Sequence, residues 1–110
     1  IAEHISGNQG AFAKEMTAYA KKIGMKNSTF ANATGLPDPK HLMSARDLAI
    51  LAKHLLKEYP DYYFYFSEKD FKYRRYRFIN RNPLIGKEGG FDGFKTGFTK
   101  QSKYGIVVSA

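Results

Sequence analysis

The sequence predicts an α+β fold, mainly helical, with a C-terminal β-hairpin. Three observations carry this. Residues 9–23 repeat apolar side chains at helical spacing. A second and clearer stripe follows a cap signal at Ser44-Ala45-Arg46-Asp47. Near the end, two β-prone runs, 89–99 and 104–110, flank the polar connection Lys100-Gln101-Ser102-Lys103, the pattern of an antiparallel hairpin.

The 110 residues, 43% hydrophobic and 15% aromatic, suit one small globular domain over residues 1–110. No run of about 18 apolar residues exists to span a membrane, and the first residues lack the basic and apolar regions of a signal peptide. The opening Ile1-Ala2-Glu3-His4, without Met, points to a piece of a longer chain. Zero cysteines exclude disulfides and thiolate metal sites. His4, His41 and His54 are scattered without ligand spacing, so no metal is expected. The net charge of +8 invites an anionic partner: nucleic acid, an anionic membrane surface or an acidic wall polymer.

In chain order, residues 1–5 read as the last turn of a helix, closed by Ser6-Gly7-Asn8. Asn8 is a good N-cap for the helix over 9–23, whose apolar face is Phe12, Met16, Tyr19, Ala20 and Ile23, and Gly24 stands where that helix stops. The spelling Ser-x-Asn also occurs in a serine-enzyme motif, so a catalytic reading of this tripeptide stands beside the capping one. Residues 25–43 are loop-like, with Phe30, Leu36 and Leu42 expected as core anchors. The helix after Ser44 places Leu48, Leu51, Ala52, Leu55 and Leu56 on one stripe and is expected to be core.

Tyr59-Pro60-Asp61 breaks that helix, and Pro60 suits the first position of a short new one through Tyr62, Tyr63, Phe64, Tyr65 and Phe66. Their spread around a helix favours packing between layers over a stacking platform. Residues 71–81 alternate aromatic and basic side chains, the pattern of one or two short strands with a cationic face and a packed reverse side. The same interleaving suits single-stranded nucleic acid, but no helix-turn-helix, RNP-type or zinc-finger pattern accompanies it, so no nucleic-acid partner is expected.

The strand expected at 89–99 carries Lys95-Thr96-Gly97. A strand-borne Lys-Thr-Gly is one of three short motifs that penicillin-binding proteins and β-lactamases bring together in a cleft. The lysine ammonium and threonine hydroxyl offer a positive charge and a donor to a substrate carboxylate, and the glycine lets a ligand lie close to the strand. Alone, the tripeptide is weak evidence and reads first as a strand-edge Lys and Thr facing water.

Taken with Ala2-Glu3-His4-Ile5-Ser6-Gly7, Gly24-Met25-Lys26-Asn27-Ser28-Thr29-Phe30, Thr34-Gly35-Leu36, His41-Leu42-Met43-Ser44-Ala45-Arg46-Asp47-Leu48-Ala49, Tyr65-Phe66-Ser67-Glu68-Lys69 and Asn80-Arg81-Asn82-Pro83-Leu84, the run Phe91-Asp92-Gly93-Phe94-Lys95-Thr96-Gly97-Phe98-Thr99 gives ordered matches over nearly the whole chain. On these residues the sequence resembles the low-molecular-mass penicillin-binding proteins, the serine D-alanyl-D-alanine carboxypeptidases of bacterial cell-wall metabolism.

The resemblance implies a partial β-lactamase/transpeptidase-like fold, with residues 1–110 an internal portion of the domain. It implies a serine nucleophile within Ser-x-x-Lys, yet none of Ser6, Ser28, Ser44, Ser67, Ser102 and Ser109 has a lysine three positions later. The family's Ser-x-Asn is expected upstream of Ile1, with Ser6-Gly7-Asn8 mapping onto the following turn. Residue by residue, Lys95 would support the active-site electrostatics as the catalytic lysine of this segment. Thr96, beside Gly97, would bind the terminal carboxylate, and the backbone N–H of Phe98 would serve as an oxyanion donor. Phe98 stands where some members have histidine. Arg81 and His41 are secondary candidates, each with a structural alternative: an ion pair for Arg81, a loop anchor for His41.

The implied partners are a peptidoglycan stem peptide ending in D-Ala-D-Ala and β-lactam antibiotics. No cofactor is implied, the setting is periplasmic or otherwise extracytoplasmic, and any membrane tether lies outside these residues. The isolated chain, with open hairpin edges, is expected to lack activity and to self-associate. Alternatives are a β-lactamase or transpeptidase with the same motifs, or a non-catalytic basic module binding an anionic polymer through Lys72, Arg74, Arg75, Arg77 and Arg81.

Overall fold

The structure, a computed structural model, describes residues 1–110. The chain forms two compact units, Ile1–His54 and Leu55–Ala110, the boundary falling within a helix. No helix is long and apolar enough to cross a membrane.

In the first unit, helix α1 (Ala2–Ser6) ends at Gly7, whose φ of 79° is the left-handed conformation that glycine adopts without penalty. Asn8 then caps helix α2 (Gln9–Lys22), its Oδ1 accepting from the Ala11 N–H at 2.8 Å. The Ser6-Gly7-Asn8 segment is therefore a stop followed by a start, as the capping reading holds. Helix α2 closes with a Schellman pattern: Met25 N–H donates to the Ala20 carbonyl at 2.9 Å and Gly24 N–H to that of Lys21 at 3.1 Å. This turn drives Met25 into the interior, where it joins the buried Ala13 and Ala20.

Leu36 and Leu42, expected as anchors, are instead 66% and 61% exposed. Polar and backbone bonds shape this loop. Thr29 and Leu42 exchange N–H···O bonds of 2.8 and 3.0 Å, and Asn32 Oδ1 accepts from the Gly35 N–H at 2.8 Å. Thr17 Oγ1 accepts from the Phe30 N–H at 2.9 Å, fixing the loop to α2.

Helix α3 (Ala45–Glu58) starts on Ser44, whose Oγ accepts from the Asp47 N–H at 3.1 Å. Leu48, Leu51 and Leu55 of its stripe are half-buried, Leu56 is exposed, and the buried residue of α3 is Asp47. That carboxylate reaches beyond the cap. Its Oδ2 accepts from the Ser28 hydroxyl at 2.6 Å and the Asn27 N–H at 2.7 Å, joining the loop to the helix. These hydrogen bonds, Ser28 first, hold the Asp47 carboxyl below the ordinary range against the opposing effect of burial.

In the second unit, Pro60 opens a 3₁₀ turn (Pro60–Tyr62) that leads into helix α4 (Phe64–Ser67). Of the five aromatics only Tyr63 and Phe66 pack inward; Tyr62, Phe64 and Tyr65 are exposed. Strands β1 (Asp70–Tyr73) and β2 (Tyr76–Ile79) pair antiparallel, with Phe71 opposite Phe78 and Tyr73 opposite Tyr76. The expected packed reverse side is not found, since all four of these aromatics are exposed. The cationic face is tempered by an Arg77–Asp70 ion pair at 2.6 Å.

Strands β3 (Gly93–Thr99) and β4 (Lys103–Ser109) form the expected C-terminal hairpin. It is anchored at its open end, away from the turn, by Phe94, 6% exposed, whose ring meets Tyr63 at 5.1 Å and Phe66 at 4.8 Å. The Tyr63 hydroxyl donates to Asp92 Oδ1 at 2.8 Å and is also bonded to Ser109 Oγ, so it ties the start of β3 to the end of β4. Burial pushes the Tyr63 phenol above its usual value.

Candidate active site

Register decides which side chains share a face. Thr96 pairs with Ile106 and Phe98 with Tyr104, so pleating places Phe94, Thr96 and Phe98 beside Val108, Ile106 and Tyr104. The Phe94 end of this face is covered by α4, while the other end is open. Over the open part runs the segment 81–83. Together they form a groove of about 510 Å³ lined by Arg81, Pro83, Lys95, Thr96, Gly97, Phe98, Tyr104, Gly105 and Ile106.

Two consecutive side-chain turns hold Arg81 over the strand. Asn80 Oδ1 accepts from the Asn82 N–H at 2.9 Å, and Asn82 Oδ1 accepts from the Leu84 N–H at 3.0 Å. The first asparagine is fixed by its Nδ2 donating to the Glu68 carbonyl at 2.9 Å and that of Phe66 at 3.2 Å. The second, 4% exposed, donates its Nδ2 to the Gly93 carbonyl at 3.2 Å. Arg81 takes part in neither of the chain's ion pairs, Lys57–Glu58 and Arg77–Asp70.

The electrostatics favour an anion. Arg81 and Lys95 are the charged residues of the lining, and no carboxylate is among them. Lys95 Nζ donates to the Thr96 carbonyl at 2.8 Å, which lays the ammonium along the strand. The Thr96 hydroxyl has no hydrogen-bond partner within the chain and is available as a donor. Because β3 pairs only with β4, alternate N–H groups on its other edge also lack a strand partner. A hydroxyl, a guanidinium and an ammonium around an apolar wall are suited to a small carboxylate with an apolar flank.

Gly97 is the floor of this arrangement. A Cβ built there would meet nothing within 4 Å, so no protein atom requires glycine and the space in front of the strand is open. The reverse holds at Gly93, where a Cβ would lie 2.6 Å from Tyr63 Oη.

Five sequence candidates, Lys95, Thr96, Gly97, Phe98 and Arg81, thus meet in one groove. His41 lies in the first unit. Its Nδ1 accepts from the Ala31 N–H at 3.3 Å and its ring stands edge-on to Phe30 at 5.5 Å, which makes it a loop anchor there. Sequence reasoning did not single out Pro83, Tyr104 or Ile106. The signal for the last two lay in the polar connection: pairing Thr99 with Lys103 puts Tyr104 opposite Phe98 and Ile106 opposite Thr96. A wider groove of about 860 Å³ lies between α2 and the 29–42 loop. The Thr17 hydroxyl on its wall is already engaged by Phe30 and Ala13, and its charged lining, Lys14, Lys21 and Lys40 with Asp38, includes a carboxylate that the first groove lacks.

Comparison with known proteins places this geometry in a family. The family model described as D-alanyl-D-alanine carboxypeptidase matches residues 1–110. The D-alanyl-D-alanine carboxypeptidase DacA of Haemophilus influenzae is 42% identical over 111 residues, covering 100% of this chain and 28% of the relative. The chain therefore spans less than a third of the length of that curated relative. Among solved structures, penicillin binding protein 5 from Haemophilus influenzae superposes with a TM-score of 0.89 at 42% identity, covering 97% of this chain and 31% of that one. Penicillin-Binding Protein D2 from Listeria monocytogenes, solved in an ampicillin-bound form, gives a TM-score of 0.86 at 30% identity, covering 99% of this chain and 46% of that one. With the Lys-Thr-Gly strand, the Asn-Arg-Asn segment and a family match over every residue, this chain belongs to the D-alanyl-D-alanine carboxypeptidase family.

Proposed function

We propose that these residues are the Lys-Thr-Gly-bearing internal portion of a serine D-Ala-D-Ala carboxypeptidase that trims the terminal D-alanine from peptidoglycan stem peptides. The observation that carries this reading is the convergence of Arg81, Lys95 and the unengaged Thr96 hydroxyl in one groove that has no acidic residue. The terminal carboxylate of the peptide lies against Thr96 Oγ1 and the Arg81 guanidinium, two charge-assisted contacts that fix the position of the preceding amide. Lys95 supplies positive potential at the reacting centre, and the Phe98 N–H is the oxyanion donor contributed by this segment.

No serine of this chain sits in a Ser-x-x-Lys, so the nucleophile comes from residues beyond these. In the complete enzyme its hydroxyl oxygen attacks the carbonyl carbon between the two D-alanines. The C–N bond breaks, D-alanine leaves with the proton taken from the serine, and water then hydrolyses the ester. The same groove receives the carboxylate of a β-lactam, a reading supported by the ampicillin-bound and cefotaxime-bound forms of the Listeria relative. Its substrate places the enzyme outside the cytoplasmic membrane.

The test is release of D-alanine from an acylated L-Lys-D-Ala-D-Ala peptide by the full-length protein, followed together with fluorescent-penicillin labelling. D-Alanine release with covalent labelling of the full-length protein, and neither with the 110-residue chain, is the expected result. Labelling of the 110-residue chain would show that the nucleophile lies within it. Fast β-lactam turnover without D-alanine release would make the parent a β-lactamase instead.

A further inference from the structure

The carboxylate end of the groove does not account for its apolar wall. Phe98 and Tyr104 face each other across the hairpin with ring centroids 4.6 Å apart, and both are open to solvent, Tyr104 at 86% exposure. Ile106, half exposed, continues this wall beside Thr96. Within these 110 residues the Phe98–Tyr104 pair stays largely exposed, so aromatic surface lies next to the anion-binding groups.

Distance along the strand sets what can use it. Thr96 and Phe98 are two residues apart on one face, about 7 Å at strand rise. A carboxylate held at Thr96 and Arg81 carries its own α-carbon substituent beside that wall. The methyl of D-alanine extends one carbon and stops short of the rings, whereas a branched side chain of three or four carbons spans the interval and buries apolar surface on them.

We infer that Phe98 and Tyr104 are specificity-determining residues for the carboxyl-terminal position of the substrate, and that the groove accepts D-amino acids with larger apolar side chains there, D-leucine included. The inference rests on the carboxypeptidase reading above and adds to it the substrate class at the leaving position. Charge complementarity selects the occupant: the groove's cations require a free carboxylate, and the rings require an apolar group attached to it.

The experiment compares kcat/KM of the full-length protein on two acylated peptides, L-Lys-D-Ala-D-Ala and L-Lys-D-Ala-D-Leu, in wild type, Phe98→Ala and Tyr104→Ala. The quantity read is the D-leucine to D-alanine ratio, which cancels any loss common to both substrates. Each substitution is expected to lower the ratio by about 3–10-fold, the scale of a few methylenes on a half-open apolar surface, and Phe98→Leu to retain part of it. Release of D-alanine with the ratio unchanged in both alanine variants overturns this inference alone. Release of neither amino acid by wild type overturns the carboxypeptidase reading and the inference with it.

Discussion

The side-chain amide of Asn82 donates to the main-chain carbonyl of Gly93 at 3.2 Å, with Asn82 almost fully buried. One hydrogen bond thus links the segment bearing Arg81 to the first residue of the strand bearing Lys95 and Thr96. Because Asn82 also accepts from the Leu84 N–H, truncation to alanine leaves both a carbonyl and an N–H without their side-chain partner. Asn82→Ala is expected to destabilise the chain by about 1–3 kcal/mol in urea denaturation. Asn82→Asp, which keeps the acceptor and loses the donor, is expected to fall between alanine and wild type. A stability change below about 0.5 kcal/mol for Asn82→Ala would mean that the link is not structural.

Two glycines on the same strand are expected to respond in opposite ways. At Gly93 an added Cβ lies 2.6 Å from Tyr63 Oη and 2.9 Å from Ser109 Oγ, so Gly93→Ala displaces the half-buried tyrosine and costs about 1–3 kcal/mol. At Gly97 it meets nothing, so Gly97→Ala leaves the thermal midpoint intact. In the full-length protein Gly97→Ala is nonetheless expected to slow acylation by penicillin, because the methyl occupies space the ligand needs. Loss of stability at Gly97, or none at Gly93, contradicts this assignment.

Stability is expected to fall in acid through Asp47. The Ser28 hydroxyl and the Asn27 N–H stabilise its charged form, which sets the folded-state pKa below the unfolded one. A carboxylate depressed in this way contributes stability above its unfolded pKa of about 3.9 and loses it as pH falls through the lower, folded value. Asp70, lowered by Arg77, acts in the same direction. The urea midpoint should therefore hold steady near neutrality and drop below about pH 4, and Asp47→Asn should flatten that drop. An unchanged acid profile in Asp47→Asn would remove Asp47 from the explanation.

The 110-residue chain alone is expected to self-associate. Strands β3 and β4 each have one unpaired edge, and Phe71, Tyr73, Tyr76 and Phe78 line an exposed face of the other hairpin. Size-exclusion chromatography over rising concentration should show earlier elution. A monomer peak at every concentration contradicts the expectation.

Local signals in the sequence were read correctly where the physics was local. Asn8 as a cap, Gly24 as a stop, Pro60 as a helix start and the polar connection at 100–103 each act within a few residues, and the structure has a cap, a stop, a turn and a hairpin there. Long-range partners were not legible. Asp47 looked like half of a capping box because the pattern is identical, and only folding brings Ser28 to it. Leu36 and Leu42 looked like anchors because they are apolar, yet backbone pairing and Asn32 shape that loop. At the site, Lys95, Thr96 and Gly97 were visible as a motif. The Asn80 and Asn82 side-chain turns were present only as an Asn-x-Asn spelling whose remote acceptors, Phe66, Glu68 and Gly93, depend on the fold.

The central claim is that the Thr96 hydroxyl receives a substrate carboxylate in the groove it shares with Arg81. Its most direct measurement is the acylation rate of the full-length protein by fluorescent penicillin in wild type and Thr96→Val, with thermal midpoints recorded alongside. A hydrogen bond to a charged group is worth about 1.5–3 kcal/mol, so Thr96→Val should acylate at least about tenfold more slowly while melting at the wild-type temperature. Acylation at the wild-type rate by a folded Thr96→Val protein would contradict the account.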